Sequence, residues 1–286
     1  MAITRFRPEI WSAELLVALQ KALVYAGPMV VNRDYEGDIA EAGDTVRITS
    51  ISDPTVQTYN GNTTSVQPEE LTDSQRTLVV DQAKYFAFFV DDVDARQARG
   101  NVMTTAMQRA AYKLADTIDQ YVAGLYTGIQ AANVLGSSGA IDIHTKATDA
   151  YEQVLVPLRT KLTKANVPAA GRWCIVSPEM MGQLLLDSRF VKANEAGTDE
   201  GLRNGVVGRA AGFDIYESNN TPNPTGDTQV IIAGNNTAIS FAQQINKTEA
   251  YRPEAKFADA VKGLALYGAK LVRPDSLAAA FIDPAA

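Results

Sequence analysis

Cysteine and histidine are nearly absent from this sequence of 286 residues. It contains one cysteine, Cys174, and one histidine, His144. A single cysteine excludes an intrachain disulfide and a zinc cluster built on cysteines. A catalytic relay between a nucleophile and an imidazole would have to use His144, which lies in a Gly/Ser-rich connector without a G-x-S-x-G motif. Cys174 lies in "RWCIVSP", which predicts a buried strand residue.

Long apolar runs and an excess of positive charge are also absent. No stretch of about eighteen apolar residues occurs, and the first residues have no apolar signal core, so we expect a cytosol-like compartment. The formal net charge of -7 argues against a broad basic face that reads DNA sequence, although it allows a local basic patch. The hydrophobic content of 46% is sufficient for a sizeable core, in one large domain or two linked ones.

Phosphate-binding motifs are missing as well. The sequence has no G-K-[ST], and in "NGVVGRAAGFDIYESNN" the glycines Gly205, Gly208 and Gly212 are spaced G-x-x-G-x-x-x-G. A dinucleotide site requires G-x-G-x-x-G and a helix N-terminus that binds the phosphate. Here Phe213 and Ile215 alternate with polar residues, as in a strand. We therefore predict a turn that leads into a strand.

One acidic cluster resembles a metal site only superficially. Asp91, Asp92 and Asp94 lie close together, but the glycine and the terminal glutamate of a calcium loop are missing. We interpret the cluster as a solvated strand end that pairs with Arg96 or Arg99. No catalytic residue, cofactor or metal is predicted for this chain.

The residues that are present favour a mixed α+β fold with one very long helix. The pattern predicts this helix over residues 101–129, with Asn101 as N-cap; about 28 residues at ~1.5 Å each span roughly 42 Å. A second helix is predicted over 149–166, where Pro157 marks a kink or the true start. Ser177 is predicted to cap a short third helix. The long helix has one apolar stripe, formed by Met107, Ala111, Leu114, Ile118, Val122, Leu125 and Ile129.

Residues 52–76 differ from the rest because they are polar yet predict a hairpin. Asn60-Gly61 is a typical two-residue turn between stretches rich in Thr, Val and Tyr. A two-stranded ribbon with so few large apolar side chains is marginally stable alone. The segment is therefore either a loose loop or an arm that becomes ordered against another molecule.

In their order, these elements resemble the major capsid proteins of tailed bacteriophages, which have the Hong Kong 97 capsid fold. The sequence segments that carry the resemblance are "GDTVRI", "GRWCIVSPEMMGQLL", "GVVGRAAGFDIYESNN" and "YGAKLVRPDSLAAAF". The resemblance implies an N-terminal arm (1–35), the start of a peripheral domain (36–51) and an extended E-loop (52–76). The rest of the peripheral domain (77–145) would follow, with its spine helix (101–129). An axial domain (146–240) and return strands of both domains (241–286) would complete the chain.

The resemblance also implies a function and partners. We expect copies of the chain to assemble as hexamers and pentamers into an icosahedral virion shell, formed in the host bacterial cytoplasm. The shell would enclose double-stranded DNA without sequence-specific contacts. The implied partners are a separate scaffolding protein, a portal and a decoration protein. Candidate interface residues are Trp11 in the arm, Asn60 and Gly61 at the E-loop tip, and Glu69, Glu70, Asp73 and Arg76 at its base.

Three alternatives remain open at this stage. An encapsulin-type nanocompartment shell has the same fold, a cytosolic enzyme would use His144 or the acidic cluster, and a tail-tube protein is disfavoured by the long helix. The sequence also departs from one family pattern. No lysine lies between Ser52 and Arg76, so the covalent cross-link that some capsids form from an E-loop lysine is not expected.

Overall fold

A computed structural model provides the coordinates used below. Trp11 of the predicted arm, the ribbon tip at Asn60-Gly61 and the cap Asn101 lie outside the residues that it describes. The described residues are 24–34, 45–51, 56, 70, 73–91, 102–146, 148–187, 209–254 and 257–284.

The described chain forms strands that pair in three groups. Strands β1 and β2 form an antiparallel ribbon, and a second sheet has the order β10-β11-β3. The largest sheet has seven strands in the order β4-β12-β9-β6-β8-β7, with β5 also paired to β12. The strands are β1 (Thr45–Ile51), β2 (Asp73–Val79), β3 (Gln82–Asp91), β4 (Val134–Leu135), β5 (Ile141–Asp142), β6 (Arg172–Val176), β7 (Arg209–Ala210), β8 (Phe213–Glu217), β9 (Gln229–Asn235), β10 (Ile239–Tyr251), β11 (Ala258–Leu271) and β12 (Leu277–Asp283).

The large sheet is buried on both faces, and its side chains alternate between two cores. Trp173 and Ile175 of β6 contribute to the core that contains the long helix, whereas Cys174 and Val176 contribute to the opposite core. The same alternation runs along β9 and β12. Because successive side chains of a strand point to opposite faces, one sheet separates two helical layers.

The long helix, α1 (Val102–Ala123), is shorter than predicted as an α-helix. From Gly124 the chain continues as a 3-10 turn to Gly128. Glycine has the lowest helix propensity apart from proline, which explains why regular α-helix ends there. The buried stripe predicted from the sequence is confirmed from Met107 to Val122. Tyr121 of α1 contacts Tyr267 of β11 edge to face, with ring centroids 5.3 Å apart.

The second predicted helix divides at its proline. Ala150–Leu155 form a π-helical turn, and the α-helix α2 (Val156–Lys164) begins with Pro157 in its first turn. Proline has no N–H to donate to the preceding turn and its ring crowds the carbonyl there, so the wider π geometry relieves that conflict. The interpretation of Pro157 as the true start of regular α-helix is therefore confirmed.

The third helix, α3 (Pro178–Leu186), also begins as predicted. The Ser177 hydroxyl accepts a hydrogen bond from the Met180 N–H at 3.3 Å, and Pro178 occupies the first turn. The cap satisfies an N–H that the first helical turn leaves without a partner. Helices α2 and α3 share the buried core on the face of the large sheet opposite α1.

The glycine-containing stretch before Phe213 is a tight hairpin and not a phosphate loop. Ala210 pairs with Phe213 across β7 and β8, which leaves Ala211 and Gly212 as a two-residue turn. Their φ angles are 50° and 81°. Positive φ at both central residues is the requirement of a type I′ turn, for which Asn-Gly is preferred. The prediction of a turn into a strand is confirmed, while Gly205 and Gly208 lie outside the described residues.

We expect Ala211→Asn to stabilise the folded chain by about 0.5–1 kcal/mol, because a β-carbon on alanine at positive φ costs about 1–2 kcal/mol and asparagine tolerates this region better. Thermal unfolding of the purified protein measures the change. Ala140→Asn, at an exposed position with ordinary φ, is the matched control and should give no gain. An equal effect at both positions would contradict the turn geometry.

Candidate assembly interface

The ribbon of β1 and β2 forms the base of the predicted E-loop. The two strands pair antiparallel from Thr45↔Val79 to Ile51↔Asp73. Both ends of the connecting segment 52–72 are therefore held side by side at Ile51 and Asp73. Within that segment Val56 has 95% of its surface exposed. An apolar side chain so completely uncovered gains nothing from burial within its own subunit.

The root of this ribbon packs tightly on β11. Leu78 and Val80 are buried against Leu266 and Ala242 in a small apolar cluster. At Gly268 of β11, a β-carbon would lie 2.3 Å from the Val79 carbonyl oxygen, so any larger residue would separate the two segments. The ribbon base is therefore fixed to the body at a site where only glycine fits.

The predicted interface residues occupy different environments. Arg76 is exposed, and its guanidinium donates a hydrogen bond to the Leu271 carbonyl oxygen at 3.2 Å within the same chain. Glu70 is exposed, and Asp73 pairs through its backbone with Ile51. The role of these residues in subunit contacts stays a prediction. Trp11, Asn60, Gly61 and Glu69 lie outside the described residues.

An uncovered aromatic surface lies on the sheet formed by β10, β11 and β3. Tyr85 is 79% exposed, Phe89 52% and Tyr251 46%. Ala260 of the central strand pairs with Tyr251 on one side and with Phe89 on the other. Tyr251, Ala260 and Phe89 therefore form one row across the sheet. We call the surface formed by Tyr85, Phe89, Tyr251, Lys262 and Leu264 the aromatic face. Contiguous exposed aromatic residues are typical of protein–protein contacts.

Charge on this face is neutralised locally. The Lys262 ammonium lies 2.9 Å from a Glu249 carboxylate oxygen and 5.3 Å from the centroid of the Tyr251 ring. The hydrogen bond with Glu249 raises the pKa of Lys262. A depression of about 290 Å³ lies beside this pair, lined by Tyr85, Gly263 and Leu264. The face thus presents apolar side chains with its main cation already paired, which suits apolar contact with a partner.

His144 does not form a catalytic arrangement. Its Nδ1 lies 2.8 Å from the Gln183 side-chain nitrogen at the exposed start of the loop before α2. In a catalytic relay a carboxylate orients the imidazole and stabilises its protonated form, which a neutral glutamine side chain cannot do. The nearby Asp142 carboxylate is engaged by the His144 backbone N–H and the Thr145 hydroxyl. The geometry is that of a surface-loop histidine.

Cys174 is fully buried in the centre of the large sheet, as the sequence predicted. Burial raises the pKa of its thiol far above the usual range. Since the thiolate is the reactive form of cysteine, this residue is chemically inert in the folded chain.

We therefore expect a chromogenic thiol reagent to detect no thiol in the folded protein and one per chain after unfolding in guanidinium chloride. A Leu185→Cys variant provides the control, because Leu185 is 51% exposed and a cysteine there should react immediately. Rapid labelling of Cys174 in the folded wild-type protein would contradict its burial.

The described part of the chain has neither a cluster of metal-binding side chains nor a membrane-spanning helix. No group of three His, Cys, Asp or Glu side chains there is placed to hold a metal ion. Of the acidic cluster, only Asp91 is described, at the end of β3. No helix among these residues is long and apolar enough to cross a membrane.

Sequence reasoning missed part of the aromatic face. The aromatic-rich pattern of β3 was visible, but Tyr251 and Lys262 lie about 160 to 180 residues farther along the chain and join Phe89 only through strand pairing. It also missed Asp119, a buried carboxylate within the apolar stripe of α1. The available signal was an acidic residue beside Ile118 on a stripe that is otherwise apolar.

Several solved structures share this architecture. A solved structure from Mycobacterium phage Che8 is 31% identical, covers 90% of each chain and has a TM-score of 0.73. The capsid of cyanophage P-SCSP1u is 18% identical, with 85% and 84% coverage and a TM-score of 0.66. A virus-like particle from Pyrococcus furiosus is 14% identical, with 95% and 98% coverage and a TM-score of 0.56. None of the curated proteins matches the chain in sequence.

The fold is that of a capsid protein of the Hong Kong 97 type. The family model described as phage capsid protein matches residues 72–280, and the chain belongs to this family. It is a major capsid protein, a structural component of a bacteriophage head. The comparisons favour this class over the encapsulin-type shell, because the Pyrococcus match rests on fold alone.

Proposed function

We propose that the ribbon of one subunit lies on the aromatic face of its neighbour, and that this contact joins subunits within the hexamers and pentamers of an icosahedral head. The observation that carries the proposal is that the same chain leaves apolar side chains uncovered in two places. Val56, in the segment that connects the ribbon strands, is 95% exposed, and Tyr85 on the aromatic face is 79% exposed. Burial of apolar area contributes about 25 cal/mol per Å², so each surface gains most by covering the other.

Modest contacts of this kind are sufficient for a shell. Each subunit offers one ribbon and one face, which makes a head-to-tail contact that closes into rings. Repetition of the contact around each ring and across the shell multiplies its effect, since the contact that closes a ring forms between subunits that are already linked. The negative net charge of -7 limits adhesion of free subunits to nucleic acid before assembly.

The same proposal assigns a role to each part of the subunit. The large sheet with α2 and α3 forms the axial domain, which gathers around the symmetry axes. The sheet β10-β11-β3 with α1 forms the peripheral domain, from which the ribbon extends. The complete shell encloses double-stranded DNA without reading its sequence, and assembly uses a scaffolding protein, a portal and a decoration protein. The chain performs no catalysis in this role.

Electron microscopy of the purified protein, expressed alone and beside its scaffolding partner, tests the shell function. We expect closed icosahedral shells, or the sheets and tubes of misdirected assembly. Deletion of Thr58–Thr64 should leave a folded, soluble subunit that no longer assembles, because the ribbon base at β1 and β2 remains while its outer part is lost. Normal shells from the deletion variant would exclude a role for the ribbon. A co-purifying enzyme inside small shells would instead identify an encapsulin.

The aromatic face has a separate test. In a double variant, Tyr85→Thr with Phe89→Thr, threonine preserves strand propensity while removing the exposed rings. We expect the yield of shells to fall by at least about tenfold, since a loss of about 1.4 kcal/mol per contact is repeated at every contact in the ring. Sedimentation and circular dichroism should show a folded subunit. Tyr112→Gln on α1, where the tyrosine is 62% exposed, is the matched control and should assemble normally. Equal loss in both variants would contradict a specific role for this face.

A further inference from the structure

A single buried carboxylate on α1 binds the start of the described segment 24–34. The Asp119 side chain is 2% exposed. Its Oδ1 accepts hydrogen bonds from the backbone N–H groups of Val24, Tyr25 and Ala26 at 3.0, 2.8 and 3.3 Å. Three consecutive N–H groups converge on one oxygen, an arrangement that proteins commonly use to bind anions. Here the anion belongs to the chain itself.

The second oxygen of the same carboxylate contacts a different part of the fold. Asp119 Oδ2 accepts a hydrogen bond from the Asn220 side-chain amide at 3.3 Å. Asn220 lies just after β8 of the large sheet, in a turn where its backbone N–H donates to the Ser218 hydroxyl. Asp119 therefore joins three parts of the chain: the segment 24–34, the helix α1, and the turn that follows β8.

All four of these hydrogen-bond donors are uncharged. Burial raises the pKa of Asp119, while the hydrogen bonds from Asn220 and from the backbone of residues 24–26 lower it. A buried carboxylate without a cation is costly unless its hydrogen bonds are complete. Its position therefore depends on the turn at Val24–Ala26 being in place, and the turn depends equally on Asp119.

The rest of the segment is held by further contacts, one of which also reaches Ala26. Asn32 forms a two-way backbone bridge with β10, with its N–H 2.8 Å from the Ile239 oxygen and its carbonyl oxygen 2.9 Å from the Phe241 N–H. The Arg33 guanidinium donates to the Ala26 carbonyl oxygen and lies 5.1 Å from the Phe241 ring centroid. The C-terminal half of the segment is thus tied to β10, and its N-terminal half is tied through Asp119.

We infer that Asp119 is a positioning residue that fixes residues 24–26, the root of the predicted N-terminal arm, and that it links this root to the turn at Asn220. The inference rests on the proposed shell function and on the expectation that the N-terminal arm, which contains Trp11, takes part in subunit contacts. A displacement of the turn after β8 moves Asn220, and through Asp119 it moves the root of the arm. The axial part of the subunit and the arm are then coupled during assembly.

Amide hydrogen exchange of the unassembled subunit tests the anchoring directly. In Asp119→Ala we expect exchange at Val24, Tyr25 and Ala26 to accelerate by at least about tenfold, equivalent to about one net hydrogen bond. Exchange at the core of β9 should stay unchanged. Asp119→Asn retains an acceptor oxygen and should restore most of the protection. The matched control is Asp116→Asn, one turn earlier on α1. Unchanged exchange at residues 24–26 in Asp119→Ala would overturn the inference.

The coupling is tested by Asn220→Ala, which leaves Asp119 in place and also serves if Asp119→Ala does not fold. We expect exchange at residues 24–26 to accelerate by about threefold, because the carboxylate loses one of its donors. No change there would overturn the link between the turn and the arm root.

Assembly of the same variants separates this inference from the proposed function. We expect wild-type protein and Asp119→Asn to give closed shells, and Asp119→Ala to give mainly open or irregular ones in electron micrographs. Regular shells from a folded Asp119→Ala protein would overturn the positioning role. If the wild-type subunit formed no shells while the exchange results held, the shell function would fail and the anchoring by Asp119 would stand.

Discussion

The structure depends on one constraint, the burial of the large sheet on both of its faces. Strands β6, β9 and β12 place alternate side chains into two separate apolar cores. One core contains α1 and the segment 24–34, and the other contains α2 and α3. The apolar side of each helical layer packs on one face of the sheet. The position of the sheet therefore determines where both layers lie. Cys174 is inert for this reason, since it occupies the centre of the second core.

Part of the apolar surface lies outside the two cores. The sheet β10-β11-β3 contributes to the first core with one face, while Tyr85 and Phe89 remain exposed on the other. The ribbon of β1 and β2 is fixed at its root by Leu78, Val80 and the close approach at Gly268, but Val56 beyond the root is exposed. Both features lie outside the two cores and are available for contact with another molecule.

Asp119 introduces a polar constraint into the first core. A carboxylate in that position selects one conformation of residues 24–26, because only three aligned N–H groups satisfy its oxygen. Apolar packing alone would tolerate small shifts of this segment. The hydrogen bond from Asn220 to Asp119 constrains the conformation of the turn after β8 in the same way.

The sequence alone determined the elements that depend on local chemistry. The buried stripe of α1, the Ser177 cap, the break at Pro157 and the strand around Cys174 follow from periodicity, capping and backbone restrictions that act over a few residues. The order of these elements was also sufficient to identify the capsid family. Only the tertiary structure decided which distant residues meet. Tyr251 joins Phe89 through the pairing of three strands, and Asp119 meets residues 24–26 across more than ninety positions, so no local pattern encodes either contact.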